Sequence, residues 1–538
     1  MYGNELDNFR PDIPELGHIP QIRLDGDAPV PDENPARAQV PTTSEADFDG
    51  FKMPQLPLAG ELSASETEMF KSVVEKYFGE DIQTYEAPSK ITHSRSADDV
   101  EPDSKKCLLT DNGFGIGIPE TELVRNLHYE EADTIDQTEI RKQFPILDQK
   151  VNGKDLVWFD NGASTQKPLR VIDGLSHFYK TDYSNIHRGA HTLAARATDQ
   201  YEAAREKVAR FINAPSTDNI VFVRGTTEGI NLVAQTFGRK YLLENDNVIV
   251  STLDHHANIV PWQQVCKERN AELRAIPIDK NGDLILPELE RLITPRTKFI
   301  SVGHVNNTFG TINDVKTIIK IAHSHNIPVL IDGAQSVAHT KIDVQDMDCD
   351  YFVFSGHKIY GPSGIGVIYG KKEALELLPP WQGGGNMIKD VTIEKTEFNE
   401  PPARFEAGTP NIADAIGLGY ALDFVSSVGI HNIERHEHDL TEYARQQIAL
   451  IPGITLMGNP RKRVSVVSFD IPGIPAPQVG QMLDKEGIAV RAGHHCAQPA
   501  LRALGYEMSV RPTFAVYNTR EEVDRLTDAL RRIVGNTK

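Results

Sequence analysis

The feature that most restricts the fold is an alternation of short apolar segments with amphipathic ones from about residue 137 onwards. "NIVFVRG" precedes "TTEGINLVAQTFGRKYL", "NVIVST" precedes "NIVPWQQVCKERN", and "TKFISVGHV" precedes "VKTIIKIAHSH"; "IPVLIDG", "YFVFS" and "GIGVIYG" follow. This alternation is typical of α/β proteins in which helices cover a mostly parallel sheet. We therefore predict a large α/β domain over about residues 155–400.

The C-terminal part predicts a second, smaller domain. "RVSVVSFDI" has the pattern of a strand, and "REEVDRLTDALRRIV" has that of a last helix. These elements lie outside the alternating region, which favours an α+β arrangement. We expect this domain over about residues 401–538, joined by the segment near residues 137–154, so that the globular part of the chain covers residues 137–538.

Residues 1–136 differ from the rest in composition. Their first part is rich in proline and carboxylates, so it cannot bury enough apolar area to offset the entropy of ordering. One segment, "SASETEMFKSVVEKYFGED", carries a capping-box pair, Ser65 and Glu68, and an apolar stripe from Met69 to Phe78. We predict a largely disordered extension with one amphipathic helix near residues 65–79, which packs on either this chain or a partner.

Charge and cysteine content exclude several classes of partner. The formal net charge is −20, so nucleic acids and anionic membranes would repel the chain. The four cysteines have no paired spacing, which is typical of a reducing compartment. The acidic start lacks the apolar region of a signal peptide, and no apolar run reaches the roughly 18 residues of a membrane span. We expect a cytoplasmic protein.

Polar residues follow five of the predicted strands at the points where the strands end. Because ligands bind at the carboxyl ends of parallel strands, we expect these residues to share one edge of the sheet. They are Gly225, Thr226 and Thr227; Asp254, His255 and His256; Asn306 and Asn307; Asp332, Gly333, Ala334 and Gln335; and Ser355, His357 and Lys358.

This edge offers three chemical handles. A helix beginning at Gly225 and Thr227 presents backbone N–H groups and hydroxyls to an anion. Asp332 presents a carboxylate to a protonated ring nitrogen, and Lys358 presents an amine that burial turns into a nucleophile. Pyridoxal 5′-phosphate (PLP) carries the matching phosphate, pyridinium and aldehyde groups. Each handle alone is also common as a cap or a turn, so the prediction rests on their combination.

Longer motifs extend this pattern along the chain. They are "FDNGASTQKP", "NIHRGAHTLAARAT", "VRGTTEGINLVA", "HHANIVPWQ", "HVNNTFGT", "IDGAQSVAH", "SGHKIYGPSGIG", "FEAGTPNI", "RAGHHCAQP" and "FAVYNTREEVDRL". In order and content they resemble the fold-type I PLP enzymes of the class-V aminotransferase family, and more narrowly the SufS-type (group II) cysteine desulfurases. The resemblance covers the chain from about residue 137 to its end.

The resemblance implies a role in cofactor binding for several residues. Lys358 corresponds to the lysine that links covalently to PLP, and Asp332 to the partner of the pyridinium nitrogen. Gln335 corresponds to the residue that contacts the ring oxygen, and His255 to the catalytic residue stacked on the ring. The implied phosphate ligands are Thr227, Ser355, His357 and the partner subunit's Thr409, which also implies a homodimer.

The resemblance also implies a substrate pocket. Arg511 corresponds to the clamp on the substrate carboxylate, and the other positions that line the pocket are His187, Asn307 and Arg491. The chain departs from the family pattern at Pro512 and Thr513, where small residues are usual. We expect this departure to leave the clamp in place.

Cys496 indicates which reaction this chain catalyses. Its segment, "RAGHHCAQP", is polar and bounded by proline, as in an exposed loop, whereas most free cysteines are small buried hydrophobes. The adjacent histidines also allow a zinc site, but no second ligand pair lies at a useful spacing. The resemblance implies that L-cysteine becomes L-alanine while Cys496 takes the sulfur as a persulfide, which a SufE- or SufU-type acceptor receives for iron–sulfur cluster assembly.

Two alternatives stay open. The enzyme could act as a selenocysteine lyase or run another class-V PLP reaction, such as that of an aminotransferase or a kynureninase-like hydrolase. The extension resembles those of desulfurases that are cargo of encapsulin-type protein shells, which would place the enzyme inside a shell; a regulatory tail is the other reading.

Overall fold

The structure of this protein, a computed structural model, describes residues 135–186 and 191–535. The predicted helix near residues 65–79 and the site residue His187 lie outside the described residues. The strands, numbered along the chain, are β1 Lys150–Val151, β2 Lys154–Asp155, β3 Val157–Trp158, β4 Ile220–Val223, β5 Asn247–Ser251, β6 Glu272–Ile276, β7 Thr297–Gly303, β8 Val329–Asp332, β9 Tyr351–Ser355, β10 Gly366–Gly370, β11 Ile388–Val391, β12 Thr396–Phe398, β13 Thr455–Met457, β14 Ser468–Asp470, β15 Ile488–Ala489, β16 Arg491–Gly493 and β17 Ser509–Arg511.

The α-helices are numbered in the same way. They are α1 Gln137–Lys142, α2 Leu169–Thr181, α3 Thr192–Phe211, α4 Thr226–Tyr241, α5 Val260–Glu268, α6 Leu286–Leu292, α7 Val315–Ser324, α8 Val344–Met347, α9 Lys372–Leu377, α10 Ile412–Val428, α11 Ile430–Ala449, α12 Ala476–Asp484, α13 Gln498–Ala503 and α14 Arg520–Gly535.

The main sheet has seven strands in the order β4-β10-β9-β8-β7-β5-β6. The pairs from β9 to β6 are parallel, whereas β10 pairs antiparallel with both β4 and β9. β4 and β9 therefore run in the same direction as the other parallel strands, and the carboxyl ends of six strands lie at one edge. This confirms the predicted α/β fold with a mostly parallel sheet.

Side chains of the main sheet alternate between two apolar clusters. In β9, Tyr351 and Val353 belong to one cluster, and Phe352 and Phe354 belong to the other. Successive side chains of a strand point to opposite faces, so helices must cover both faces of a strand that is apolar throughout. This explains why "YFVFS" has no polar–apolar alternation.

A smaller sheet of four antiparallel strands has the order β13-β14-β17-β16. Its own apolar core includes Leu440 of α11, Val479 of α12 and Leu526 of α14. Helix α10, which follows the expected domain boundary near residue 401, instead contributes to the core of the main sheet. It packs there against α2 and α3, because its apolar residues run all around the helix and need partners on several sides.

Among residues 135–186 and 191–535, no single helix is long and apolar enough to cross a membrane. Only α10 and α11 taken together meet that length and composition, and they are bent by 74° at their junction.

Candidate active site

A cavity of about 540 Å³ opens at the carboxyl ends of β4, β5, β7, β8 and β9. Its volume lies in the range typical of cofactor sites. The sequence-predicted residues that line it are Thr227, His255, Asn307, Asp332, Gln335, Ser355, His357, Lys358, Arg491, Cys496 and Arg511. The structure thus brings together nearly all of the predicted site residues, which range from Thr227 to Arg511 in the chain.

Thr409 lies apart from this cavity in the same subunit. It borders a separate depression near Trp381 and Asn411, and the Nδ2 of Asn185 lies 3.4 Å from its Oγ1. A residue that completes the site of a second subunit must lie outside the cavity of its own subunit. The position of Thr409 is compatible with that role, which stays a prediction.

The start of α4 forms an anion site at one end of the cavity. Ser355 Oγ accepts the backbone N–H of Thr226 at 2.8 Å and lies 2.8 Å from its hydroxyl. Thr227 follows in the first turn, where helix N–H groups have no intrahelical acceptor. These groups, with the positive end of the helix dipole, favour a phosphate.

Lys358 ends the 3₁₀ turn Gly356–Lys358 that follows β9. The carbonyl of His357 accepts hydrogen bonds from Ser164 Oγ at 3.1 Å and from Thr165 N at 3.1 Å, which fix the turn. Burial lowers the pKa of Lys358 to about 8, against the opposing effect of the Asp332 charge. Burial, and next the charge of Lys358, lower the pKa of His357 to about 4. Near pH 7 His357 is therefore almost entirely neutral, whereas roughly one tenth of Lys358 is in the neutral amine form.

Asp332 is a buried carboxylate at the end of β8. Its Oδ1 accepts the backbone N–H of Ala334 at 2.9 Å. Burial raises the pKa of Asp332, and the charge of Lys358 partly offsets this effect. A buried carboxylate of this kind gains most from a cationic partner, so a protonated ring nitrogen suits it. Gln335, three residues on, is anchored by its Nε2, which donates to the carbonyl of Gly162 at 2.6 Å.

His255 is held as a neutral imidazole. Its Nδ1 accepts the backbone N–H of Ala257 at 3.0 Å, so its proton is on Nε2. Burial, followed by the charge of Lys358, lowers its pKa to about 3. A neutral, fixed ring can stack on an aromatic cofactor without adding a charge.

Arg511 is buried in the wall of the same cavity. Its Nη1 donates to the carbonyl of Asn307 at 2.8 Å, and its Nη2 lies 3.7 Å from Asp160 Oδ1. Burial lowers the pKa of Arg511 to about 10, so it stays charged near pH 7. The unusual Thr513 accepts the N–H of Gly162 through its Oγ1 at 2.7 Å and leaves the guanidinium in the cavity wall.

Several buried polar atoms of residues that line the cavity have no hydrogen-bond partner among the described residues. They include Asn307 Oδ1, Arg511 Nε and His495 Nδ1. Buried polar atoms are nearly always satisfied in native proteins, so these atoms indicate a polar ligand. The anion site, the buried carboxylate and the amine of Lys358 lie around the same cavity, and this set of donors and acceptors fits PLP together with an amino-acid substrate.

Sequence reasoning missed the roles of two carboxylates. Asp160 lies 3.4 Å from Arg491 Nη1 and also faces Arg511, so it spaces the two arginines. Asp254 is buried and accepts the N–H groups of Ser251 and Gly303 at 2.6 Å each. Burial raises the pKa of Asp254 to about 7. The sequence placed Asp254 at the end of a predicted strand but gave no signal for its burial or for the backbone groups that it binds.

Cys496 differs from the other described cysteines. It is exposed, whereas Cys266 and Cys349 are buried, and burial raises the pKa of both buried thiols. Cys496 lies in the cavity wall with His494 and His495. Within the described ranges, no group of three or more His, Cys, Asp or Glu residues has the geometry of a metal site, so the structure gives no support to the zinc alternative.

Comparisons with known proteins agree with this geometry. The profile of the family "Aminotransferase class-V" matches residues 157–526. A "Probable cysteine desulfurase" of Mycolicibacterium paratuberculosis is 56% identical over 404 residues, which are 75% of this chain and 59% of that protein. One of Halalkalibacterium halodurans is 49% identical over 394 residues, 73% of this chain and 97% of that protein.

Solved structures give the same result. The crystal structure of the cysteine desulfurase CsdA from Escherichia coli has a TM-score of 0.70 and 39% identity, covering 75% of this chain and 99% of that one. Fold and site together define a PLP-dependent enzyme of fold type I. The chain belongs to the class-V aminotransferase family, and within it to the cysteine desulfurases. It spans less than two thirds of the mycobacterial relative's length.

Proposed function

We propose that this chain converts L-cysteine into L-alanine and takes the sulfur onto Cys496 as a persulfide. The observation that carries the proposal is an exposed cysteine in the wall of a cavity that also holds Lys358, a lysine of lowered pKa. An amine poised near neutral pH and an accessible thiol are the two groups that the reaction needs from the protein.

The substrate is held by its carboxylate. Arg511 supplies a permanent positive charge and an unpartnered Nε, and Asn307 supplies an unpartnered Oδ1 for a donor such as an ammonium group. Arg491, more exposed at the mouth, adds a second positive charge that favours the approach of a carboxylate. This arrangement would bind the substrate by its carboxylate.

Two side chains then carry protons and sulfur. When bound, PLP supplies an electron sink that acidifies the substrate Cα and weakens its Cβ–S bond. Lys358 in its neutral form takes the Cα proton and can return it. The Cys496 thiolate attacks the substrate sulfur, so that an S–S bond forms and the Cβ–S bond breaks. The carbon keeps the electron pair and takes a proton, which yields L-alanine and one persulfide.

The partners belong to the same proposal. A small sulfur-acceptor protein of the SufE or SufU type would take the persulfide sulfur, and the exposure of Cys496 is compatible with that transfer. The enzyme would act as a cytoplasmic homodimer. The extension would load it into an encapsulin-type shell through the stripe from Met69 to Phe78; deletion of residues 1–130 should then abolish loading and leave desulfuration intact, whereas a regulatory tail would change the rate.

The test removes the thiol alone. Cys496→Ser should bind PLP and L-cysteine normally yet form L-alanine at least about a hundredfold more slowly, since the nucleophile is lost. Alanine is measured by amino-acid analysis after incubation with L-cysteine and a reductant. Cys107→Ser, a cysteine outside the matched residues 157–526, is the control and should keep wild-type activity. Wild-type alanine production by Cys496→Ser would refute the proposal.

A further inference from the structure

The loop that carries Cys496 is docked on the turn that carries His256, although 242 positions separate His256 from Gln498. The backbone N–H of His256 donates to the carbonyl of Cys496 at 2.8 Å. In the other direction, the N–H of Gln498 donates to His256 Nε2 at 3.4 Å. The rings of His256 and His494 are stacked, with centroids 5.9 Å apart and planes 30° apart.

His494 closes the loop on itself. The backbone N–H of Cys496 donates to His494 Nδ1 at 3.1 Å. A backbone N–H can only donate, so both acceptor nitrogens, Nε2 of His256 and Nδ1 of His494, must be unprotonated. The docked loop therefore requires two neutral imidazoles.

The loop needs these bonds because its backbone is unfavourable. His495 and Cys496 have φ values of 52° and 54°, in the left-handed region that residues other than glycine adopt at a cost. His495 is fixed from the inside, since its Nε2 lies 2.7 Å from Ser509 Oγ and its carbonyl accepts from Asn307 Nδ2 at 2.7 Å. The backbone of Cys496 is fixed by His256, whose N–H donates to the Cys496 carbonyl, and by His494, whose Nδ1 accepts the Cys496 N–H.

We propose that His256 and His494 are positioning residues that hold the Cys496 loop against the cavity, and that protonation of His256 releases the loop. The inference rests on the proposed function in one respect, since Cys496 is the residue that takes up sulfur. While the loop is docked, Cys496 takes sulfur from the substrate. Once the loop is released, Cys496 presents that sulfur to an acceptor.

The groups that face the pair set the direction of the pH dependence. The ring of His255 lies 6.2 Å from that of His256 on its own turn, and His494 faces it from the loop; His494 in turn neighbours His495 and Cys496. Burial, and next the charge of His494, lower the pKa of His256. Because the docked state disfavours the proton, docking is fully stable above the ordinary histidine pKa of about 6.5 and weakens as the pH falls below it.

Amide hydrogen exchange on the full-length, PLP-loaded enzyme tests the inference. After correction for the intrinsic rate, the amides of Cys496 and Gln498 in the wild type should lose protection between about pH 6.5 and about pH 5. The double variant His256→Gln, His494→Asn keeps an acceptor oxygen at each position but cannot be protonated there, so its protection should persist at about pH 5. Above about pH 6.5, where the wild-type loop is docked, His494→Ala should lower the protection of Cys496 about threefold to tenfold, which is the effect of one lost hydrogen bond.

His431→Ala is the matched control, because that histidine lies on the exposed side of α11, and it should keep the wild-type profile. A second readout is the rate of sulfur transfer to Cys496, which His494→Ala should lower about threefold to tenfold while the visible absorption of bound PLP stays unchanged. An unchanged pH profile in the double variant, or full protection in His494→Ala, would overturn the inference. If the wild type forms no alanine, the desulfurase proposal fails, and the exchange data still decide the role of the histidines.

Discussion

The proton affinity of Lys358 follows from its burial and from two nearby charges of opposite sign. Burial lowers its pKa most, Asp332 raises it, and Arg511 lowers it. The rate at which cofactor-free enzyme captures PLP depends on the neutral amine. We therefore expect this rate, followed by the visible band of the bound cofactor, to rise with pH through about 8.

Two substitutions should move this midpoint in opposite directions. Asp332→Asn removes the negative charge that stabilises the ammonium form, so the midpoint of the capture rate should fall. Arg511→Met removes a repelling positive charge, so the midpoint should rise. A shift of about one pH unit corresponds to about 1.4 kcal/mol of interaction. Asp346→Asn, on the surface beside Lys316, serves as the control; shifts of equal sign in the two site variants would contradict this electrostatic account.

Among single residues, the sequence predicted the positions of side chains that directly follow strands. It predicted contacts between side chains on separate loops less well. Lys358, Asp332 and His255 could be placed because the end of a parallel strand is a defined location. The contact between Asp160 and Arg511 joins residues that are far apart in the chain, and no local pattern predicts it. The same holds for the stacking of His256 on His494.

At the element scale, β10 is the one antiparallel strand of the main sheet, and a glycine fixes how closely it approaches β4. A Cβ at Gly366 would lie 2.5 Å from the Cα of Gly225 and 2.6 Å from the carbonyl oxygen of Phe354. Both contacts are with backbone, which cannot move aside cheaply. The apolar segment "GIGVIYG" predicted strand β10, but it contained no signal for whether β10 runs parallel or antiparallel to its neighbours.

Gly366→Ala should consequently destabilise the fold by about 1–3 kcal/mol and weaken PLP binding, because it pushes Gly225 and the start of α4 away from Ser355. Urea unfolding gives the first quantity, and PLP titration gives the second. Gly385→Ala, where an added Cβ meets nothing within 4 Å, should leave both unchanged. Wild-type stability of Gly366→Ala would show that the strands can separate without cost.

At the scale of the whole molecule, a composition shift separates residues 1–136 from the globular part, but composition does not show how the apolar cores divide. Helix α10 lies beyond the expected boundary near residue 401 and still packs under the main sheet. Its sequence is apolar on all sides, so periodicity gives no direction of burial.

The predicted dimer can be tested through Thr409. If Thr409 acts on the partner's phosphate site, a Thr409→Asp subunit paired with a Lys358→Ala subunit should contain one working site, because the first subunit supplies Lys358 and the second supplies Thr409. Co-expressed, doubly tagged heterodimers should have about half of the wild-type activity, while each homodimer is inactive. Inactive heterodimers would show that Thr409 acts within its own subunit.

Cys496 is the one residue that we propose to receive the sulfur of L-cysteine. Mass spectrometry of peptides after a single turnover, without an acceptor or a reductant, tests this proposal most directly, with alanine counted in the same sample. We expect one alanine per active site and the added mass of one sulfur atom on the peptide that contains Cys496. Alanine released with no added sulfur on that peptide, or with the sulfur on the Cys266 or Cys349 peptide, would contradict it.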